Sequence, residues 1–227
     1  MESVIKPVAV LRCDYRTKFG IPRQPGIVED IEGRIIFEEE FADREAIRGI
    51  EEFSHLWLIW QFSENLEAGW NPTVRPPRLG GNERRGVFAT RSPYRPNALA
   101  LSCVRLKRIE DNGGGMPVLV VTGADLMDNT PIFDIKPYIP YADSIPDATS
   151  GFAPDEGVKK EVIIPEEISA GIPGETLRAI EQILSLDPRP GYKKEGDKIY
   201  RFEFSDYRIG FKAEGGAIIL TEAERTE

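Results

Sequence analysis

The stretch that decides the fold runs ALALSCVRLKRI (residues 98–109), a turn at Gly113-Gly114-Gly115, PVLVVTGA (117–124) and, past Asp128-Asn129-Thr130, PIFDIKPY (131–138). These apolar pieces are short, rich in Val, Ile and Leu, and bounded by Gly, Pro and Asn, which is how strands read. The glycine triplet is the turn between two of them, because a phosphate-binding loop would need a helix and a lysine behind it.

Working outward, further strands are expected at Val4 to Arg12, Gly33 to Phe41, Phe53 to Phe62 and Gly86 to Thr90. Seven strands between Val4 and Pro140 imply a closed or nearly closed sheet. Asp43 to Gly49 reads as a short helix with an N-capping Asp and a terminal Gly. Residues 146–170, rich in Pro, Asp, Ala, Ser and Gly, read as a linker. Gly174 to Leu186 then places Leu177, Ile180, Ile183 and Leu184 on one helical face, and Lys198–Phe204, Tyr207–Ala213 and Ala217–Thr221 alternate as strands do. The expected fold is mainly β: a single-sheeted barrel over residues 1–145 and a small α+β unit over 171–227.

Composition narrows the chemistry. With one histidine (His55) and two isolated cysteines (Cys13 and Cys103), neither a zinc site, a disulfide framework nor a Ser/His/Asp triad is supported, and no metal is expected. His55 is expected as a hydrogen-bonded core residue, the cysteines as buried thiols. The first residues lack a secretory signal and no apolar run reaches the roughly 20 residues needed to cross a bilayer, so a cytoplasmic protein is expected. The net charge of −9 argues against a nucleic-acid partner, but residues 75–95 carry six arginines against Glu83 alone, a local +5. Arginines spaced by Pro and Gly suit carboxylate or phosphate, and Phe88 and Tyr94 suit stacking on bases.

Other segments have the makings of a ligand site. Phe19-Gly20-Ile21-Pro22-Arg23-Gln24-Pro25-Gly26 sets a cation and an amide between two prolines that stiffen the loop. The apolar strand from Phe53 ends in Ser63, Glu64 and Asn65, where a strand holds polar groups at its rim. Asp128 to Pro131 is turn chemistry that also presents backbone groups to an adenine edge. Asp134 and Lys136 share one face of the following strand.

Taken together, FGIPRQPG, RGIEEFSHLWLIW, PTVRPPRLGGN, GVFATRSPYRPN, DNTPIFDIKPY and DPRPGY resemble the TsaA-like (TrmO) family in order and spacing, over essentially the whole chain. The absence of a G-x-G-x-x-G loop after an early strand agrees with its β-barrel architecture. The resemblance implies a homodimeric tRNA methyltransferase that moves a methyl from S-adenosylmethionine to N6 of threonylcarbamoyl-adenosine beside the anticodon. Carried over by motif, the cofactor contacts are Pro22, Arg23, Gln24, Ser63, Glu64, Arg91, the backbone near Cys103, and Asp128, Asn129, Thr130 and Pro131. Asp187, Arg189 and Tyr192 of DPRPGY, with Arg95, are the tRNA contacts. Ala98 to Ala100 departs from the family's usual Pro-Ile-Gly. No catalytic base is assigned, since Asp128 and Asp134 have structural readings. Rival readings are a sensor that binds S-adenosylmethionine without catalysis and a methyltransferase acting on a small adenylate-like metabolite.

Overall fold

The computed structural model describes residues 3–154, 157–189 and 196–226. Its strands, in chain order, are β1 (Ala9–Cys13), β2 (Glu32–Phe37), β3 (His55–Gln61), β4 (Thr73–Val74), β5 (Arg85–Gly86), β6 (Leu99–Asp111), β7 (Pro117–Thr122), β8 (Thr130–Pro137), β9 (Val162–Ile163), β10 (Gly196–Phe204), β11 (Tyr207–Glu214) and β12 (Ala217–Arg225). The α-helices are α1 (Pro140–Asp143), α2 (Glu166–Ser169) and α3 (Gly174–Ser185).

Six of the strands close an antiparallel barrel in the order β1-β2-β7-β6-β3-β8, and the glycine turn joins β6 to β7 as expected. Alternation decides its packing. Leu56, Leu58 and Trp60 of β3 point inward with Ala9, Leu11, Ile35, Val104, Leu119 and Ile132, and fill the interior. The other β3 face points outward and carries His55 and Trp57. His55 is therefore hydrogen-bonded, its Nδ1 2.9 Å from Ser54 Oγ, but it sits on the outer face against Tyr138 instead of in the core. Asp134 and Lys136 do share a face and form a 2.9 Å ion pair.

Two local expectations change. Gly86–Thr90 is not a barrel strand: Thr73–Val74 pairs with Arg85–Gly86 in a two-stranded ribbon, and Val87–Ala89 turns as a 3-10 helix. Prolines at 72, 76, 77, 93 and 96 remove the amides a barrel ladder would need, so the segment folds on itself. The helix expected at 43–49 is a single 3-10 turn, Arg44–Ile47, whose cap Asp43 accepts from Glu45 N, and Gly49 at φ 84° begins a second turn.

The second sheet has the order β10-β11-β12-β9, with β9 parallel to β12. Val162 and Ile163, within the stretch read as a linker, thus belong to this sheet. One face of α3 (Ala179, Ile180, Ile183, Leu184) covers Phe202, Phe204, Ile209, Phe211 and Leu220.

Candidate functional site

The two halves are welded by the segment between β1 and β2. After Cys13 the chain leaves the barrel, and Tyr15, Phe19, Ile21, Val28 and Ile31 enter the core of the C-terminal unit. Phe19 packs against Tyr200, Phe202 and Phe211, with ring centroids 6.1–6.4 Å apart. Asp14 O accepts from Ser205 N at 2.9 Å. Gly20 adopts φ 99° with the Phe202 ring against it, where a Cβ would lie 2.6 Å from that ring. Only glycine satisfies both the dihedral and the space.

This suspends Pro22-Arg23-Gln24 between the halves. Arg23 Nη2 donates to Arg189 O at 3.1 Å, Gln24 Oε1 accepts from Arg91 Nη1, and Gly26 N donates to Gly123 O at 2.8 Å. The first contact reaches the C-terminal unit, the second the arginine loop and the third the mouth of the barrel.

The arginine loop is propped from within. Arg95 Nη1 donates to Thr90 O at 2.7 Å while its guanidinium lies 5.8 Å from the Phe88 ring centre, and Arg84 Nη1 donates to Thr73 Oγ1 at 2.7 Å. Arg95 thus holds the loop's shape.

Between these parts lies a cleft of about 2070 Å³, larger than the roughly 300–1,000 Å³ that one small ligand requires. Its walls carry Lys18 and Arg23 from the first loop, Arg75, Arg78, Arg84 and Arg91 from the second, Lys159 and Lys160 from the connection, and Arg189. Among the described residues Asp187 is the one carboxylate lining it. Elsewhere in this acidic chain cations are matched at short range, as in Arg34–Glu110, Arg108–Glu32 and Arg201–Glu222. In the cleft, Arg23, Arg75, Arg84, Arg91, Lys159 and Lys160 have no carboxylate within ion-pair distance among the described residues. Trp70, Phe88 and Tyr94 also line it, 57%, 73% and 41% exposed. Unmatched cations beside open aromatic faces suit a polyanion with stacking bases.

The structure brings Pro22, Arg23, Gln24, Arg91, Asp187 and Arg189 into this one cleft. Ser63 and Glu64 open a 3-10 turn after β3 and adjoin its rim, where Lys18 Nζ donates to Glu64 O at 3.0 Å. Cys103 lies on the outer barrel face opposite Trp57. Asp128 accepts from Cys13 N at 3.0 Å and Arg16 Nη1 at 2.9 Å, Asn129 takes φ 64°, and Thr130 Oγ1 donates to Met127 O at 2.7 Å, so this turn is braced by the chain itself, with Pro131 opening β8. Both cysteines are only half-buried instead of buried as expected, Cys103 because it lies on the outer face of the sheet, and desolvation still pushes the Cys13 thiol up to about 12. Arg189 is 7% exposed and doubly hydrogen-bonded to Asp187 at 2.7 Å, so its charge is already matched. Burial works against the Asp187 charge, but the Arg189 hydrogen bonds and the charges of Arg189 and Lys160 together outweigh it and hold the carboxyl below the usual range. Tyr192 lies outside the described residues.

Sequence reading missed Asp125. Trp60 Nε1 donates to Ser102 Oγ at 2.9 Å, and Ser102 Oγ donates to Asp125 Oδ1 at 2.5 Å, a relay from the barrel interior to its mouth. Burial raises the Asp125 carboxyl to about 6, against the Ser102 hydrogen bond and the nearby Arg91 charge, which lower it. The available signal was Ser102 itself, a polar residue at an inward position of an apolar strand, which must find a partner.

Residues 10–144 match the family model described as the tRNA-methyltransferase O N-terminal domain, and residues 164–226 match the TrmO C-terminal domain. An Escherichia coli (strain K12) protein named tRNA (adenine(37)-N6)-methyltransferase is 40% identical over 215 residues, covering 90% of this chain and 91% of that protein. A protein of the same name from Eikenella corrodens is 47% identical over 169 residues, 74% of this chain and 95% of its own length. Among solved structures, TrmO from Pseudomonas aeruginosa superposes with a TM-score of 0.78 at 30% identity, covering 99% of this chain and 100% of that one.

Proposed function

The chain belongs to the tRNA-methyltransferase O family, and from that premise we propose that it transfers the methyl group of S-adenosylmethionine to N6 of the adenine beside the tRNA anticodon. The carrying observation is the cleft, where the loop Pro22-Arg23-Gln24 meets five further unmatched cations and three exposed aromatic rings. A tRNA substrate puts the work of the protein in the cytoplasm.

The residues present fit the donor. Its carboxylate and ammonium call for a cation and an anion close together, and the charge of Arg91 reaches the Asp125 carboxyl, while Arg23 is held on the Arg189 carbonyl. S-adenosylmethionine supplies an electrophilic methyl on a sulfonium that becomes neutral as the methyl leaves. The chain's task is alignment: Gln24 and Arg91 brace each other, and the double anchoring of the loop removes its freedom before any ligand arrives. The half-buried Asp125 carboxylate, charged above pH of about 6, would give the donor's ammonium group a counter-charge, and Arg91 would hold its carboxylate.

The acceptor is the threonylcarbamoyl derivative of that adenine. Its extra carboxylate requires a cation that no side chain of the protein already neutralises, and Arg75 and Arg84 offer guanidinium groups for it. The arginines would then explain a demand for the already modified base. Nucleoside mass spectrometry after incubation with S-adenosylmethionine is expected to show one added methyl on threonylcarbamoyl-adenosine and none on unmodified adenosine in the same anticodon loop. Equal rates on both would end the specificity proposal, and no methyl on either would end the tRNA reading.

The protein also acts as a dimer. Trp57, Ile59, Leu101 and Cys103 sit together on the outer faces of β3 and β6, with Leu101 52% exposed, and an apolar sheet face of this kind is covered in functional assemblies. Light scattering is expected to give twice the 25.5 kDa chain mass, and a monomer at micromolar concentration would sink the proposal.

A further inference from the structure

The connection between the two halves was expected to be a spacer, yet its described residues 149–154 and 157–160 form a wall of the cleft. Resting on the tRNA reading above, we infer that this segment is a phosphate-binding wall, in which Lys159 and Lys160 grip the RNA backbone within the cleft that the arginine loop also lines.

A dangling linker would present lysines at random and lose rotational freedom on binding. This one is fixed on either side of Lys160. Lys160 N donates to Ser185 O, at the end of α3, at 2.7 Å. Glu161 O accepts from Ile218 N at 2.9 Å, and Val162–Ile163 then joins β12 as a parallel edge strand. The main chain is locked while the two ammonium groups have no ion-pair partner among the described residues. Lys159 is exposed and Lys160 half-buried beside Asp187, whose charge Lys160 favours. Preorganised backbone carrying unmatched cations is the arrangement that contributes most to polyanion binding for the least ordering cost.

The aromatic part of the same lining explains why RNA is the occupant. Trp70 and Tyr94 lie side by side there, since Asn71 N donates to Tyr94 O at 3.1 Å, and both rings are open to solvent. An acidic protein surface would use the cations and leave these rings exposed, whereas a strand with splayed bases uses both, stacking bases on the rings and holding phosphates on the cations.

The test is the full-length double variant Lys159→Gln/Lys160→Gln with the anticodon stem-loop as probe. Because both anchors are main-chain bonds, the substitutions leave them in place, and an unchanged melting temperature verifies this. Affinity for the stem-loop is expected to fall about tenfold at 150 mM salt. The slope of log K against log salt is expected to become shallower by about 1.4, two phosphates at roughly 0.7 each for a single strand. Affinity for S-adenosylmethionine and kcat at saturating RNA should not move, and Lys159→Arg/Lys160→Arg should restore binding. A wild-type affinity and salt slope in the glutamine variant overturn the inference while leaving the methyltransferase reading intact. A wild-type protein that binds no tRNA overturns both.

Discussion

Alanine at position 20 is expected to destabilise the protein by about 2–4 kcal/mol, the sum of a left-handed dihedral imposed on a β-carbon and of overpacking against an aromatic ring. Gly20 has φ 99°, and the added carbon would meet Phe202 Cδ2 at 2.6 Å and Cε2 at 2.9 Å. Phe202 has nowhere to retreat, since it is 4% exposed and packs edge-on against Phe19 and Phe211. Each kcal/mol moves the melting temperature of a chain this size by about 2–4 °C. The loop should also shift from Arg189 O and Arg91, so affinity for S-adenosylmethionine is expected to drop about tenfold even where the variant remains folded. Gly26→Ala is the control: φ is 78° but no atom lies within 4 Å of the added carbon, so dihedral strain of about 1–2 kcal/mol acts alone. Equal melting temperatures for the two variants would show that the approach to Phe202 has no energetic weight.

Asp125→Asn is expected to give the second large effect, with stability and activity moving in opposite directions. The folded Asp125 carboxyl titrates near 6 against an ordinary 3.8, chiefly because burial penalises its charge. The fold therefore favours the protonated acid. Its contribution is fully present below pH 3.8 and is lost as pH rises through 6, a deficit of at most about 3 kcal/mol at pH 7. Asparagine keeps an oxygen for Ser102 Oγ and carries no charge, so the variant should melt higher than wild type at pH 7.5 and lose that advantage at pH 4. The groups facing Asp125 are Ser102 and the charge of Arg91, with the Tyr15 phenol nearby. Methyl transfer by the wild type should fall as pH drops below about 6, and the variant should be slow with that acid limb absent. Thermal melts at the two pH values and a pH–rate profile check both halves. A variant with wild-type kcat and the same acid limb would remove Asp125 from the site.

Most of the barrel was legible because its physics is local. Strand period, turn glycines and apolar runs each show within a dozen residues of sequence, and the six barrel strands were placed to within about five residues of where they lie. The exception, Gly86–Thr90, has a strand's apolar content, but its neighbourhood of prolines directs it into the ribbon with Thr73–Val74. The candidate site was partly legible. The motifs located Pro22 to Gln24, Arg91 and Asp187 to Arg189, which the fold gathers into one cleft. Asp125 was passed over because its significance depends on Ser102 and Trp60, 23 and 65 positions away in the chain.

What the sequence by itself determined, then, is the kind of elements and the family: alternation sets which face of each strand is buried, and motif order sets the kinship. Which charges are matched was decided only in three dimensions. Arg34, Arg108 and Arg201 meet carboxylates brought from distant strands, Arg95 turns inward to hold its own loop and Arg189 is buried on Asp187, whereas Arg75, Lys159 and Lys160 face the cleft. The reason is that pairing falls off within a few ångströms, so a formal charge of −9 carries no information about where the unmatched cations collect until the chain has folded.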